Sequence, residues 1–437
     1  MNDSSNEALN QRAEAVMPTD INIRGRGFSG INAVPDEYAP SNSPLYIVSG
    51  EGSHITDTAG RTYIDYMCGY GSLILGHANP EVVEAITEAA AKGSSLGGNI
   101  PSEVELAELV TAAYPSVEKI RFVTSEERAV MSAIRMSRAF TKRTDIVKFA
   151  GCYHGQVDEL LASSGSGFLT SGIPEGAGIL PQTVSHTHVL QYNNIEALHY
   201  LFSHAGAKIA CVIVEPIAAN MGLVMPVDGF LQQLRSVTEK YGALLVFDEQ
   251  TTAFRHSFGG VQGKTRSKPD LTIFGKILGG GLPLSAVGGR AEVMAFSSPG
   301  DKIRQSGTHS ANPVAIASGL ATLKILQKSP EIYTHVFSQA ISLQASLLSA
   351  AQKKGIQIQV PLSGSMLSCF FSNNPVKNEA DAIHSDHHLA SEFHKQLLNK
   401  GIYFPLSPFE VTYMSASLSS EDVARTCDAI SGAFASI

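Results

Sequence analysis

Cysteine is scarce in this chain: five among 437 residues (Cys68, Cys152, Cys211, Cys369 and Cys427), far apart and never in CxxC spacing. An odd, scattered set makes neither a disulfide framework nor a zinc cluster, and it points to a reducing compartment. No run of 18 apolar residues occurs, which argues against a membrane-spanning helix. The first 17 residues are polar and mixed in charge, unlike the basic-then-apolar plan of a secretory signal, so a cytoplasmic location is expected. Long blocks of one charge are missing too. The 32 Lys and Arg stand against 40 Asp and Glu, a dispersed net charge of −8, which argues against nucleic acid or a membrane surface as partner. Internal repeats and low-complexity tracts are absent. What remains is 43% hydrophobic and 16% charged, with 39 Gly and 20 Pro spread along the chain, the composition of an ordinary globular protein acting on small molecules.

Ser5 is placed to cap a short helix in which Leu9, Ala13 and Val16 share a face, ended by Pro18. Residues 21–45 have no period and read as loop. Alternating segments at 45–48, 53–56 and 61–66, with a turn at Ala59-Gly60, predict a small antiparallel meander. From Pro80 the pattern becomes helical, and Ser102 is expected to cap a second helix through Ala113. Short apolar runs then follow at 120–123, 146–149, 209–214, 244–247 and 271–274, as buried parallel strands do. Between two of them Phe230, Leu234, Val237 and Tyr241 recur at 4, 3, 4 spacing, the helix of a βαβ unit. The expected class is α/β. A large domain with a mainly parallel sheet spans 76–325, an N-terminal helix, loop and meander fill 1–75, and a smaller α+β domain fills 326–437.

Two segments carry chemistry. Residues 243–249 (ALLVFDE) end an apolar strand in Asp248, at the carboxyl edge where α/β sheets place ligands; capping of the next helix is the competing role. Residues 272–283 (TIFGKILGGGLP) set one lysine, Lys276, between an apolar strand and three glycines. A lysine desolvated at a strand end can lose its proton and form a Schiff base, and glycines let backbone approach a planar cofactor. The plainer alternative is a surface lysine before a flexible turn. Gly307-Thr308 and Ser310 to Pro313 open a helix, where hydroxyls and free amides can receive phosphate or serve only as caps. An acid for a pyridinium nitrogen, a Schiff-base lysine and hydroxyls at helix starts are what pyridoxal 5′-phosphate (PLP) asks of a protein.

At that point the chain resembles the class III aminotransferases of PLP fold type I, and within them the glutamate-1-semialdehyde aminomutases. The resemblance rests on LGHANPEV (75–82), FAGCYHG (149–155), VEPIAAN (214–220), LLVFDE (244–249), FGKILGGGLP (274–283) and GTHSANP (307–313), in the right order over nearly the whole length. It implies that Lys276 carries the Schiff base and that Asp248 pairs with the ring nitrogen. It also implies that Tyr153 covers a ring face and that Asn220 lies on the cofactor's hydroxyl side. Thr308 would reach the phosphate of a neighbouring subunit, in a homodimer with shared active sites. Arg26, with Arg24 as the fallback, would take a substrate carboxylate; Ser166, in a Gly/Ser-rich loop, and Glu410 would lie near the substrate. The implied activity is PLP-dependent amino-group transfer on a small amino or keto acid, as aminomutase or aminotransferase. The alternatives are a divergent PLP enzyme of specialised biosynthesis, such as a racemase, and a catalytically weakened dimer partner.

Three departures surround the expected cofactor. The family's phosphate cup, Ser-Gly-Thr-Glu-Ala, is here Ser125-Glu126-Glu127-Arg128-Ala129; the family's Asp-Glu-Val is Asp248-Glu249-Gln250; and the aminomutases' tryptophan before Gly71 is Tyr70. A carboxylate about 5 Å from a doubly charged phosphate repels it by roughly 6 kcal/mol at an effective dielectric near 20. Glu126 and Glu127 are therefore expected to turn outward or pair with Arg128, leaving Ser125, backbone amides and Thr308 to hold the phosphate. His384, Asp386, His387 and His388 read as the exposed start of a helix rather than as metal ligands. His154, beside Tyr153, either orients the ring or fills the core, and Cys152 packs as a small hydrophobe.

Overall fold

The structure, a computed structural model, describes residues 6–17, 45–163, 172–265, 267–297, 303–405 and 407–437. A first helix runs Asn6–Val16. Strands β1 (Ile47–Glu51), β2 (His54–Asp57) and β3 (Thr62–Asp65) form the antiparallel meander. Helices Pro80–Lys92 and Pro101–Ala113 follow. In the second, Pro101 takes the first helical position and the extended Ile100 precedes it, so Ser102 lies inside the helix and not at its cap.

The large sheet is built from β4 (Lys119–Val123), β5 (Asp145–Phe149), β8 (Thr187–Leu190), β9 (Ile209–Val214), β10 (Leu244–Asp248), β11 (Leu271–Phe274) and β12 (Ser285–Gly289); the short pair β6 (Ala162–Ser163) and β7 (Ile173–Pro174) lies outside it. Its order is β4-β12-β11-β10-β9-β5-β8, and β12 alone runs antiparallel to its neighbours. Successive side chains alternate between faces. Val147, Phe149, Val212, Val214, Leu245 and Phe247 meet Leu198, Leu201, Leu234 and Val237 of helices Ile195–Ala205 and Phe230–Tyr241. Ile146, Cys211, Ile213, Leu244 and Val246 meet Val130, Ala133 and Ile134 of helix Glu126–Thr141 on the other side. Covered on both faces, most of these strands are apolar over much of their length, which is why five of them read as short apolar runs.

Beyond helix Pro313–Lys328 and the long helix Glu331–Lys354, a three-stranded sheet of β13 (Leu362–Ser363), β14 (Met366–Leu367) and β16 (Thr412–Tyr413) packs with helices His387–Asn399 and Ser420–Ser436. Strand β15 (Ile402–Tyr403) pairs in parallel with β3, and Ile64 and Tyr66 share a core cluster with Leu343, Leu397 and Phe434. The N-terminal meander and the C-terminal segments thus bury one hydrophobic interior. No helix among the described residues is long and apolar enough to cross a membrane.

Candidate active site

The carboxyl ends of the parallel strands β5, β9, β10 and β11 lie along one edge of the sheet. The chain leaves them carrying Tyr153, Glu215, Asp248 and Lys276. These four, with Glu126 from the start of the helix after β4, line a cavity of about 650 Å³. Its walls also include Tyr70, Asn220, Gln250, Thr251, Glu410 and Tyr413.

Lys276 opens a short 3-10 turn with φ of +48°, a left-handed conformation that a side-chain-bearing residue adopts at a cost. Its Nζ donates to Thr251 Oγ1 at 2.9 Å. Asp248 is buried; its Oδ2 lies 2.7 Å from His154 Nδ1, and its Oδ1 accepts from the Gln250 amide at 3.2 Å. His154 is equally buried, so both members of the pair are withdrawn from water, and the Nε2 of His154 finds no hydrogen-bond partner among the described residues. A second buried acid, Glu215, is a bracket: Oε1 accepts from the Tyr153 amide at 2.8 Å and Asn220 Nδ2 at 2.9 Å, and Oε2 from the Ala219 amide at 2.8 Å. Burial holds its carboxyl above the usual range, partly offset by His154. Burial likewise raises the Tyr153 hydroxyl, with Glu126 and Glu127 adding to the effect.

Glu126 corrects the sequence reading. Its side chain lines the cavity rather than turning outward, and Arg128 instead donates from Nη1 to Ser306 O at 3.1 Å. Burial, then the proximity of Asp248, pushes the Glu126 carboxyl well above the ordinary value, against a smaller opposing effect of Lys276. Glu127 packs instead on Gly155. That glycine has φ of +75°, and a Cβ there would meet Glu127 Cγ at 2.9 Å, so no other residue fits without displacing the helix start. Gln250 lines the cavity with Nε2 buried and without a hydrogen-bond partner among the described residues. Ser125 is the extended residue before the helix and makes no side-chain cap; Ser125, Glu127 and the exposed Thr308 are not among the lining residues. Arg24, Arg26 and Ser166 lie outside the described residues.

Glu410 adjoins Lys276, and burial pushes its carboxyl up to about 7, with Lys276 opposing. A carboxyl raised on folding makes the folded state bind more protons than the unfolded chain between pH 4.5 and about 7. Stability then falls as pH rises through that window. The melting temperature of cofactor-free wild-type protein, taken relative to Glu410→Gln, is expected to drop between pH 5 and 8; a difference that stays constant or rises would contradict the placement of Glu410.

Three positioning groups carry no signature that singled them out in the sequence. Thr251 orients Lys276. Glu249 accepts from the Val261 amide at 2.8 Å and Thr252 Oγ1 at 2.9 Å, tying down the loop after β10. Arg255 is fully buried, donating from Nη2 to Gly71 O at 2.7 Å and from Nη1 to Ser365 Oγ at 3.0 Å, with its guanidinium 4.8 Å from the Tyr413 ring centroid. It fixes the backbone beside Tyr70. There a Cβ on Gly71, at φ +84°, would strike Tyr413 at 2.8 Å.

The class-III aminotransferase family model matches residues 37–434. The chain belongs to this family. It is 46% identical over 420 residues, 96% of this chain and 95% of the relative, to a glutamate-1-semialdehyde 2,1-aminomutase of Syntrophomonas wolfei. Among solved structures, an omega-transaminase from Sphaerobacter thermophilus superposes with a TM-score of 0.89 at 31% identity, covering 99% of this chain and 98% of that one. A transaminase with PLP bound superposes at 0.87 and 30% identity, covering 98% and 97%. The fold is accordingly the PLP type I fold, and the strand-edge cavity occupies the place where that architecture binds ligands.

Proposed function

We propose that this class-III aminotransferase uses pyridoxal 5′-phosphate to move an amino group on a small amino or keto acid, with glutamate-1-semialdehyde the first substrate to test. The observation that carries the reading is the convergence of Lys276, on a left-handed backbone, with the buried Asp248–His154 pair on one wall of a single cavity. The residues fit the cofactor. Lys276 Nζ would hold its aldehyde carbon, Asp248 its ring nitrogen, Tyr153 a ring face and Asn220 its hydroxyl side. Gln250 Nε2, buried and without a partner among the described residues, offers a further donor in the same cavity. Bound there, the cofactor supplies an aldehyde that captures amines and a ring that accepts electron density.

The chain's own groups do the rest. Lys276 Nζ takes a proton from the substrate carbon and returns it one position away, with Thr251 keeping the amine directed into the cavity. Asp248, fixed by His154, keeps the ring nitrogen protonated, which a buried carboxylate does far better than water. Glu215 holds Asn220 and the Tyr153 backbone in place. Glu410 stands beside Lys276 and the substrate space, and Arg26 remains the resemblance-based choice for a substrate carboxylate. A cytoplasmic homodimer completes the reading; the exposed Thr308 and the five free cysteines support it.

Glutamate-1-semialdehyde supplied alone is expected to be converted to its amino-shifted isomer with no amino group lost to solution. A strict requirement for a second amino donor would make the enzyme a transaminase instead, and absence of both reactions across a panel of amines and keto acids would remove the proposal.

A further inference from the structure

The cavity contains one side chain, Glu126, at the position where the resembling family's phosphate cup has a glycine. Glu126 is the first residue of helix Glu126–Thr141, three residues past the end of β4, where the first-turn amides point toward the expected phosphate and Ser125 does not cap them. Its carboxyl shares the cavity with Asp248 from the end of β10, which is held by His154; with Glu215 from the end of β9; with Tyr153 after β5; and with Lys276 after β11. Glu127 and Arg128 follow on its own helix, and Arg128 is engaged at Ser306. Among the described residues lining the cavity, Lys276 is the only cation, against Glu126, Asp158, Glu175, Glu215, Asp248 and Glu410.

An ionised Glu126 at this helix start would be a built-in anion: it would take the amides that a phosphate needs and repel the phosphate as well. A protonated Glu126 does the opposite. It brings one O–H donor to a group that has only acceptors. We propose that Glu126 hydrogen-bonds the cofactor's phosphate through its protonated carboxyl, so that cofactor binding and loss of that proton exclude one another. The surroundings favour the neutral form: burial and the nearby Asp248 raise this carboxyl well above the ordinary range, outweighing the opposing effect of Lys276. This inference rests on PLP being the cofactor and goes beyond it, since it makes affinity for the phosphorylated cofactor a function of one side chain's protonation.

The test is cofactor affinity, measured by equilibrium dialysis and visible absorbance on cofactor-stripped protein from pH 6 to 9, for wild type, Glu126→Gln and Glu126→Gly. Because one proton is coupled, PLP affinity of wild type is expected to fall relative to Glu126→Gln by up to about tenfold per pH unit once Glu126 begins to ionise. Glutamine keeps a donor without a titrating proton, and Glu126→Gly should bind PLP more tightly than wild type at the alkaline end. Pyridoxal, which has no phosphate, should show no such difference between wild type and Glu126→Gln. Parallel PLP profiles in wild type and Glu126→Gln, or the same wild-type-to-variant difference with pyridoxal, would overturn the proposal. If the glutamine variant does not fold, the PLP-against-pyridoxal comparison in wild type and Glu126→Gly decides: PLP must lose affinity more steeply than pyridoxal in wild type only. Borohydride labelling of Lys276 at pH 6 reports separately on whether PLP is the cofactor at all.

Discussion

Lys276→Ala is expected to lower amino-group transfer by at least the roughly 10²–10⁴-fold that a positioned proton-transfer group contributes, while leaving the fold intact. The fold should survive because, among the described residues, Nζ hydrogen-bonds to Thr251 alone, at the edge of a cavity rather than inside a packed core. Alanine should relieve none of the cost of φ +48° at this position, since the turn is set by Gly275 and the glycines that follow. Activity, circular dichroism and borohydride reduction with peptide mapping check the three parts together. Label on any other lysine of the wild-type protein would transfer the role from Lys276, and a variant with more than a few per cent of wild-type turnover would deny it proton transfer.

Asp248 carries the second large effect, and it acts on stability as well as rate. The carboxylate and His154 are both buried and 2.7 Å apart, so deleting one leaves the other without its partner in a place water does not reach. Leaving one buried member of such a hydrogen-bonded pair unsatisfied costs roughly 1–3 kcal/mol, and more for a charged group. Asp248→Ala is therefore expected to lower the unfolding free energy of the cofactor-free protein by about that amount in urea titrations. Asp248→Asn, which keeps the shape and loses the charge, should destabilise less yet still reduce kcat by about 10²–10³-fold, the scale of losing one preorganised electrostatic contact. A double-mutant cycle with His154→Ala isolates the pair; additive effects would mean that the two side chains are neighbours without mutual dependence. Comparable activity of Asp248→Asn and wild type would place the electron-sink role elsewhere.

The sequence by itself determined the features whose cause is local. Five of the seven strands of the large sheet were legible because a strand covered on both faces tends to carry a short run of apolar residues. Thr187–Leu190 and Ser285–Gly289 were not, the first carrying a histidine and a threonine and the second being mostly small residues that reveal a strand only when β4 and β11 pair with it. Lys276 and Asp248 stood out for the same local reason: a strand, its end and the residue after it are contiguous in the chain, so chemistry at the carboxyl edge of a parallel sheet can be read directly. What only the tertiary structure decided is how separate edges face one another. His154 meets Asp248 across 94 positions of sequence, Arg255 reaches Gly71 across 184, and β15 closes on β3 from the far end of the chain. The direction of Glu126 belongs to the same class. Coulomb repulsion judged from sequence sends a charged glutamate outward, but the docking of its helix against the sheet aims the side chain into the cavity. Burial beside Asp248 then favours the uncharged acid, a state that no spacing or composition encodes because it depends on which charges the fold brings within a few ångströms.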